Sequence, residues 1–94
     1  MTNNYTITNY TRKQARKYGV TVKRSHTRGK KIDVFRNGKK VASVGAIGYG
    51  DYPTFMRKYG RAYASKKRRL YKIRHTRDRT RRGTPGFYAD KLLW

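Results

Sequence analysis

KKIDVFRNGKKVASVGA, residues 30–46, contains two β-branched runs separated by Asn37-Gly38. An Asn-Gly pair between such runs is the strongest short-range signal for a β-hairpin, because both turn positions need a positive φ. A two-residue turn pairs Arg36 with Lys39 and Val34 with Val41. The predicted faces of the hairpin are Ile32, Val34, Val41 and Ser43 on one side, and Asp33, Phe35, Lys40 and Ala42 on the other.

The residues before the hairpin predict a third strand and a short helix. VTVKRS, residues 20–25, is another β-branched run, and the turn HTRGK joins it to the hairpin, so we expect a three-stranded antiparallel meander. In TRKQARKYG, Thr11 is the expected N-cap, with Gln14 at the capping-box spacing and Gly19 as the stop. This pattern predicts a helix over 11–18. Residues 1–10 are polar, and we expect a flexible N-terminus.

The residues after the hairpin predict a long helix. The glycine-rich stretch GAIGYGDYP reads as a sheet-to-helix connection, in which Asp51 caps a helix that has Pro53 in its first turn. Residues 53–78 are predicted to be helical, with a break at Gly60. The apolar stripe expected to pack on the sheet is Phe55, Met56, Tyr59, Ala62, Tyr63, Leu70 and Ile73.

The predicted fold class is α+β, in which a small three-stranded antiparallel sheet packs against a long basic C-terminal helix and a short N-terminal helix is added. Residues 11–94 form a single small basic domain that ends in an aromatic C-terminal tail, 83–94. The apolar residues of the tail have two interpretations: they fold back onto the sheet, or they dock into a neighbouring protein. These residues are Phe87, Tyr88, Leu92, Leu93 and Trp94.

Composition points to a polyanionic partner. The 94 residues include 26 Lys and Arg against four Asp and no Glu, a formal charge of +22. Self-repulsion at this charge disfavours an isolated compact chain, and nucleic acid is the commonest polyanion. The chain has no Cys and two His, so we expect neither a metal nor a cofactor. No apolar run is long enough to predict a membrane span, and the polar start is not a signal peptide, so we expect a protein that is not secreted.

The stretch SKKRRLYKIRHTRDRTRR, residues 65–82, contains ten Lys and Arg and one acid, Asp78. This stretch could be a solvated face, but such a face would normally include Glu. KKRR also matches a nuclear-import pattern. Contact with phosphates is the favoured interpretation. Tyr71 is a candidate for stacking on unpaired bases, whereas Tyr59 and Tyr63 are expected in the core. The predicted contacts of this half are Arg57, Lys58, Arg61, Lys66, Lys67, Arg68, Arg69, Tyr71, Lys72, Arg74, His75 and Arg77.

The hairpin is a second candidate surface, since a β-ribbon can enter a major groove. The competing interpretation is a hydrated sheet face without a ligand. Its predicted contacts are Lys30, Lys31, Arg36, Lys39 and Lys40.

Catalysis has little support in the sequence. The acids Asp33, Asp51, Asp78 and Asp90 include no adjacent pair, whereas a metal-dependent nuclease normally needs converging carboxylates. We therefore expect no enzyme, and a small nuclease is the least favoured function.

Four segments resemble the pattern of small basic proteins encoded by large nucleocytoplasmic DNA viruses of the algal-virus and mimivirus type. They are GKKIDVF, GKKVASVGAIGYGDYPTF, YGRAYASKKRRLYKIRH and GFYADKLLW, and the likeness covers about residues 23–94. The resemblance implies a viral protein, located in the virion or in the nucleus or cytoplasm of the infected cell. The strand–Asn-Gly–strand–helix order is also similar to the arm-binding domains of integrases, as an analogy of fold only.

These observations lead to one expected function and one alternative. The expected function is binding and condensation of viral DNA by phosphate neutralisation, with duplex DNA favoured and little sequence specificity. The alternative is a minor structural protein associated with the capsid, in which the apolar residues of the tail dock into a capsid or other virion protein.

Overall fold

The computed structural model describes residues 4–94, which form a three-stranded antiparallel sheet and five helices. The strand order is β1-β2-β3, and the α+β class predicted from the sequence is confirmed. The elements are α1 (Asn9–Lys17), β1 (Thr21–Arg24), β2 (Lys30–Arg36), β3 (Lys39–Ala46), α2 (Tyr52–Tyr59), α3 (Arg61–Arg74), α4 (Thr76–Arg79) and α5 (Pro85–Leu93).

The β2–β3 hairpin turns at Asn37 and Gly38, which have φ angles of 53° and 79° as the predicted turn requires. The register beyond the turn differs from the prediction. Phe35 pairs with Lys40 but Val34 pairs with Ala42, so Val41 is the additional residue of a β-bulge. The predicted pairing of Val34 with Val41 was therefore wrong, and Ser43 and Ala42 lie on the faces opposite to those predicted, whereas the Arg36–Lys39 pair and the shared face of Phe35 and Lys40 are as predicted.

The bulge aligns the apolar residues of both strands on the buried face. Ile32 and Val34 of β2 lie opposite Val44 and Ala42 of β3, and all four are buried, whereas Val41 is exposed. Without the additional residue, Ala42 and Val44 would point away from the core, because side chains alternate along a strand.

Helix α5 covers the buried face of the sheet. Tyr88, Leu92 and Leu93 are buried in the same cluster as the strand residues. Ala15 of α1 also belongs to this buried cluster. The sequence predicted that the long basic helix would occupy this position, and the structure places α5 there instead. Of the two interpretations of the aromatic tail, folding back onto the sheet is the one observed.

Helix α1 begins earlier than predicted and is fixed to α5. Thr8, not Thr11, is the N-cap, and its Oγ1 accepts a hydrogen bond from the Thr11 amide at 3.2 Å. The Thr11 hydroxyl donates to the carbonyl oxygen of Leu92 at 2.8 Å. Gln14 donates to the carbonyl oxygen of Lys91 at 2.9 Å instead of forming a capping box. These side chains satisfy carbonyls that the end of α5 leaves without intrahelical partners.

The predicted helix over 53–78 consists of three pieces. Asp51 caps α2 as predicted, since its Oδ1 accepts from the Thr54 amide at 3.0 Å. The break at Gly60, where φ is 90°, was also predicted, but the second break at His75 was not. Helix α3 is attached to the end of the chain by Tyr71, whose ring stacks on Trp94 with centroids 4.4 Å apart.

Part of the N-terminal segment belongs to the folded domain. The flexible segment was predicted over residues 1–10, of which 1–3 lie outside the described residues. Tyr5 donates a hydrogen bond to Asp51 at 2.7 Å, and α1 starts at Asn9.

The molecule measures 36 × 30 × 22 Å along its principal axes.

Candidate nucleic-acid interface

The surface of the described chain is almost purely cationic. Twenty of the 26 Lys and Arg are exposed, five are half-buried and only Lys31 is buried. Three of the four carboxylates, those of Asp33, Asp51 and Asp90, are buried instead. Asp78, with a side chain 67% exposed, is therefore the one acidic side chain within residues 4–94 that opposes this field at the surface.

Asp51 is buried at the centre of a polar cluster that joins four parts of the chain. Its Oδ2 lies 3.0 Å from the Lys31 ammonium and accepts from the Tyr5 hydroxyl, while Oδ1 accepts from the Thr54 amide. Burial alone would raise the pKa of Asp51, but these hydrogen bonds and the charge of Lys31 outweigh it, so the pKa lies below its ordinary value. Lys31 was predicted as a nucleic-acid contact, which its burial and this ion pair contradict.

Asp33 and Asp90 are also held by donors. Burial opposes ionisation of Asp33, but hydrogen bonds of 2.6 Å from the hydroxyls of Ser25 and Ser43 lower its pKa below the ordinary value. Asp90 accepts from the Lys72 ammonium at 2.7 Å, which ties α5 to α3. Most of the negative charge of the chain is thus engaged in internal contacts.

Because these carboxylates are held in contacts that favour their charged form, we expect the protein to lose stability in acid. Asp33 and Asp51 have lower pKa values in the folded than in the unfolded chain, so their stabilisation is present above the ordinary pKa of 3.8 and disappears as the pH falls through the lower folded values. Urea unfolding at a series of pH values should show a free energy of unfolding that declines below that pKa. The decline should be shallower in Asp33→Asn, which no longer titrates there. Identical slopes in the two proteins would contradict the role of Asp33.

The basic helix α3 presents part of its predicted contact set to solvent. Lys66, Arg69 and Arg74 are exposed, as is Arg77 in α4. Lys67, Arg68 and Lys72 are half-buried, and His75 is stacked on Tyr71 at 4.4 Å. The Arg68 guanidinium lies 3.5 Å above the ring centre of Tyr52. Arg57, Lys58 and Arg61, around the α2–α3 junction, are exposed.

A groove of about 420 Å³ follows the exposed side of α3 into α4. Its lining includes cations, which suit phosphate oxygens, and the apolar Ile73, whereas the Thr76 hydroxyl donates to backbone carbonyls and the Lys72 ammonium pairs with Asp90. The polar residues that line it are Ser65, Arg68, Arg69, Lys72, Thr76 and Arg79. Arg79 was not among the predicted contacts; its position depends on the break at His75.

The hairpin keeps four of its five predicted cations at the surface. Lys30, Arg36, Lys39 and Lys40 are exposed, and Arg36 pairs with Lys39 beside the turn. Arg36 also donates to the Tyr88 hydroxyl at 3.3 Å, which links the hairpin end to α5. The hairpin therefore carries positive charge at a tip that α5 stiffens.

The aromatic residues are distributed differently from the prediction. Tyr71, the predicted stacking residue, is buried against Trp94, and burial raises its pKa to about 12. Tyr59 and Tyr63, predicted as core, are exposed instead. Tyr49, on the β3–α2 connection, is the most exposed large aromatic at 75%. The flanking glycines Gly48 and Gly50 were the sequence signal for a protruding residue there.

The candidate catalytic acids do not converge. Among residues 4–94, no three His, Cys, Asp or Glu side chains are close enough to share a metal ion. Asp51 is an N-cap and an ion-pair partner, and Asp78 lies beside His75 with 3.9 Å between Oδ2 and Nδ1. In the same part of the chain, no helix has the length and apolarity needed to cross a bilayer.

Comparison of the sequence with protein-family models, with curated proteins and with solved structures finds no match.

Proposed function

We propose that the protein binds nucleic acid by neutralising backbone phosphates, with duplex DNA as the favoured ligand and little dependence on base sequence. One observation carries the proposal: twenty exposed cations face solvent while three of the four carboxylates are buried. A surface of one sign repels itself unless a polyanion covers it. Phosphate contacts of this kind position a protein on DNA but do not read its sequence.

The groove along α3 and α4 is the proposed centre of the interface. Arg69 and Ser65 line it, and Lys66, Arg74 and Arg77 are further exposed cations of the same two helices. The charged hairpin tip provides a second contact at another part of the molecule. Two separated contacts allow one molecule to bridge two duplex segments, which is the property that condensation requires.

The resemblance to proteins of large DNA viruses supplies the setting for this proposal. In that setting the ligand is the viral genome, and the protein acts in the infected cell or inside the virion. Neutralising the phosphates would lower the repulsion between neighbouring duplexes, as packaging requires.

A salt series tests the proposal. We expect binding to duplex DNA, measured by fluorescence anisotropy, to weaken steeply as salt rises. Changing Lys66, Arg69, Arg74 and Arg77 together to Gln should make the slope of log K against log salt shallower by about 0.9 for each phosphate that is no longer neutralised, or up to about 3.6. The matched control changes Arg12, Lys13, Arg16 and Lys17 of α1, which are also exposed, to Gln.

The two variants remove the same charge, so net charge alone predicts equal effects. A larger change in the α3–α4 variant supports the proposed interface, and equal changes would contradict it. Heparin, a polyanion without bases, is the control for the ligand. Equal binding of heparin and of every nucleic acid, unchanged by the variant, would overturn the function itself.

A capsid-associated role is the second candidate, and exposed apolar residues on α3 favour it. Leu70 and Ile73 are 43% and 66% exposed beside Arg69 and Arg74. An acidic protein surface with an apolar strip would complement this pattern. The aromatic tail is less suited to such docking, because Tyr88, Leu92 and Leu93 are buried in the core.

A further inference from the structure

A cavity lined by aromatic and basic residues lies outside the α3–α4 groove. Its volume is about 690 Å³, and it is formed by the β3–α2 connection, the α2 helix and the N-terminal segment. Tyr49 and Tyr59 line it and are 75% and 61% exposed, and Arg57 and Lys58 of α2 also line it. None of its lining residues is acidic. We call it the Tyr49–Tyr59 cavity.

The Tyr49 side of the cavity is held in place by backbone contacts. The carbonyl oxygen of Tyr49 accepts from the buried Lys31 ammonium at 2.6 Å, and its amide donates to the Ala46 carbonyl oxygen at 3.2 Å. The next residue, Gly50, lies so close to Phe55 that an added Cβ would sit 2.1 Å from the ring. Because this backbone is already anchored, only the Tyr49 side chain has to be ordered when a ligand binds.

The Tyr59 side belongs to an aromatic cluster on α2 and α3. The Tyr59 ring lies 4.7 Å from the Tyr63 ring and 6.3 Å from Phe55, between ring centroids. This support orients the ring, yet most of its surface remains in water. Water is a poor environment for an aromatic face, so both sides of the cavity present surface that a flat apolar group would cover.

We propose that the Tyr49–Tyr59 cavity binds an unpaired nucleotide of a nucleic-acid strand, with its base stacked on one or both tyrosines and its phosphate on Arg57 and Lys58. The inference rests on the proposed function and adds a ligand class to it: single strands, or bases released from a distorted duplex. Aromatic faces beside cations are the common composition of single-strand sites, because every base has a π-face and every nucleotide a phosphate. Paired bases inside a duplex cannot reach these rings.

The test compares two single strands that carry the same number of phosphates. One is an oligothymidylate and the other is an abasic strand of equal length, and both are measured by fluorescence anisotropy at one salt concentration. We expect the strand with bases to bind roughly 5- to 150-fold more tightly, the range for one stacked base. Tyr49→Ala and Tyr59→Ala should reduce this ratio, while Tyr49→Trp and Tyr59→Trp should retain it.

The control variant is Leu70→Ala, which removes an exposed apolar side chain of the basic helix that lines neither this cavity nor the α3–α4 groove. It should leave the ratio unchanged. Equal binding of the two strands would contradict base binding in the cavity but would leave the proposed phosphate binding intact. An equal loss in Leu70→Ala and in the tyrosine variants would also contradict base binding in the cavity. If neither strand bound more tightly than heparin, the proposed function itself would fail.

Discussion

Ending the chain after Arg82 is expected to abolish the fold. The deletion removes α5, whose Tyr88, Leu92 and Leu93 are buried against the sheet. It also removes the carbonyl groups of Lys91 and Leu92 that bind α1. A small domain has a net stability of about 5–15 kcal/mol, and a single buried Leu→Ala change costs about 2–5 kcal/mol. Losing three such residues together costs about 6–15 kcal/mol, which is as large as the whole net stability.

Circular dichroism and urea unfolding measure this outcome. The truncated chain should lack a cooperative transition, and Leu92→Ala in the full chain should lower the free energy of unfolding by about 2–5 kcal/mol. Ile73→Ala, at an exposed position, should change it by less than about 0.5 kcal/mol. A truncated chain that still unfolds cooperatively would instead make the tail a detachable docking segment.

Asp51→Ala is the point substitution for which we expect the largest loss of stability. It leaves the Lys31 ammonium buried without its carboxylate and removes the N-cap of α2. Breaking a buried ion pair from one side costs about 3–5 kcal/mol, and losing an N-cap adds roughly 1 kcal/mol. Urea unfolding at neutral pH measures the change.

Two variants separate the causes of that loss. Lys31→Met combined with Asp51→Ala removes both charges, so it should be more stable than Asp51→Ala alone. Asp78→Ala removes an exposed carboxylate and should have an effect below about 0.5 kcal/mol. If Asp51→Ala alone were as stable as the double variant, the unpaired charge of buried Lys31 would not be the cause of the loss.

Features encoded by neighbouring residues were predicted well. The Asn37-Gly38 turn, the Asp51 cap and the Gly60 break each depend on φ angles or hydrogen bonds within a few residues. The bulge at Val41 does not, because it is stabilised by bringing Ala42 and Val44 onto the face that α5 covers. The position of the bulge depends on packing against α5, which is distant in sequence, so no local pattern in the strand predicts it.

The same reason explains the errors at the candidate site. The apolar spacing of α2 and α3 predicted a buried stripe, but α5 occupies the sheet, so Tyr59 and Tyr63 remain exposed. Tyr71 and Lys31 stand in basic stretches and were predicted as ligand contacts. Their partners, Trp94 and Asp51, are 23 and 20 residues away in sequence, and only the fold brings them together.

The dimensions and the charge of the molecule together fix a linear charge density. Duplex DNA carries one negative charge per roughly 1.7 Å of its axis, so the net charge of +22 equals that of about 37 Å of duplex. The longest dimension of the protein is 36 Å. Molecules placed end to end along a duplex would therefore cancel its charge at about eleven base pairs each. With more than one molecule per eleven base pairs, the complex would carry excess positive charge. We therefore expect aggregation to be maximal near the neutral ratio and to reverse when more protein is added.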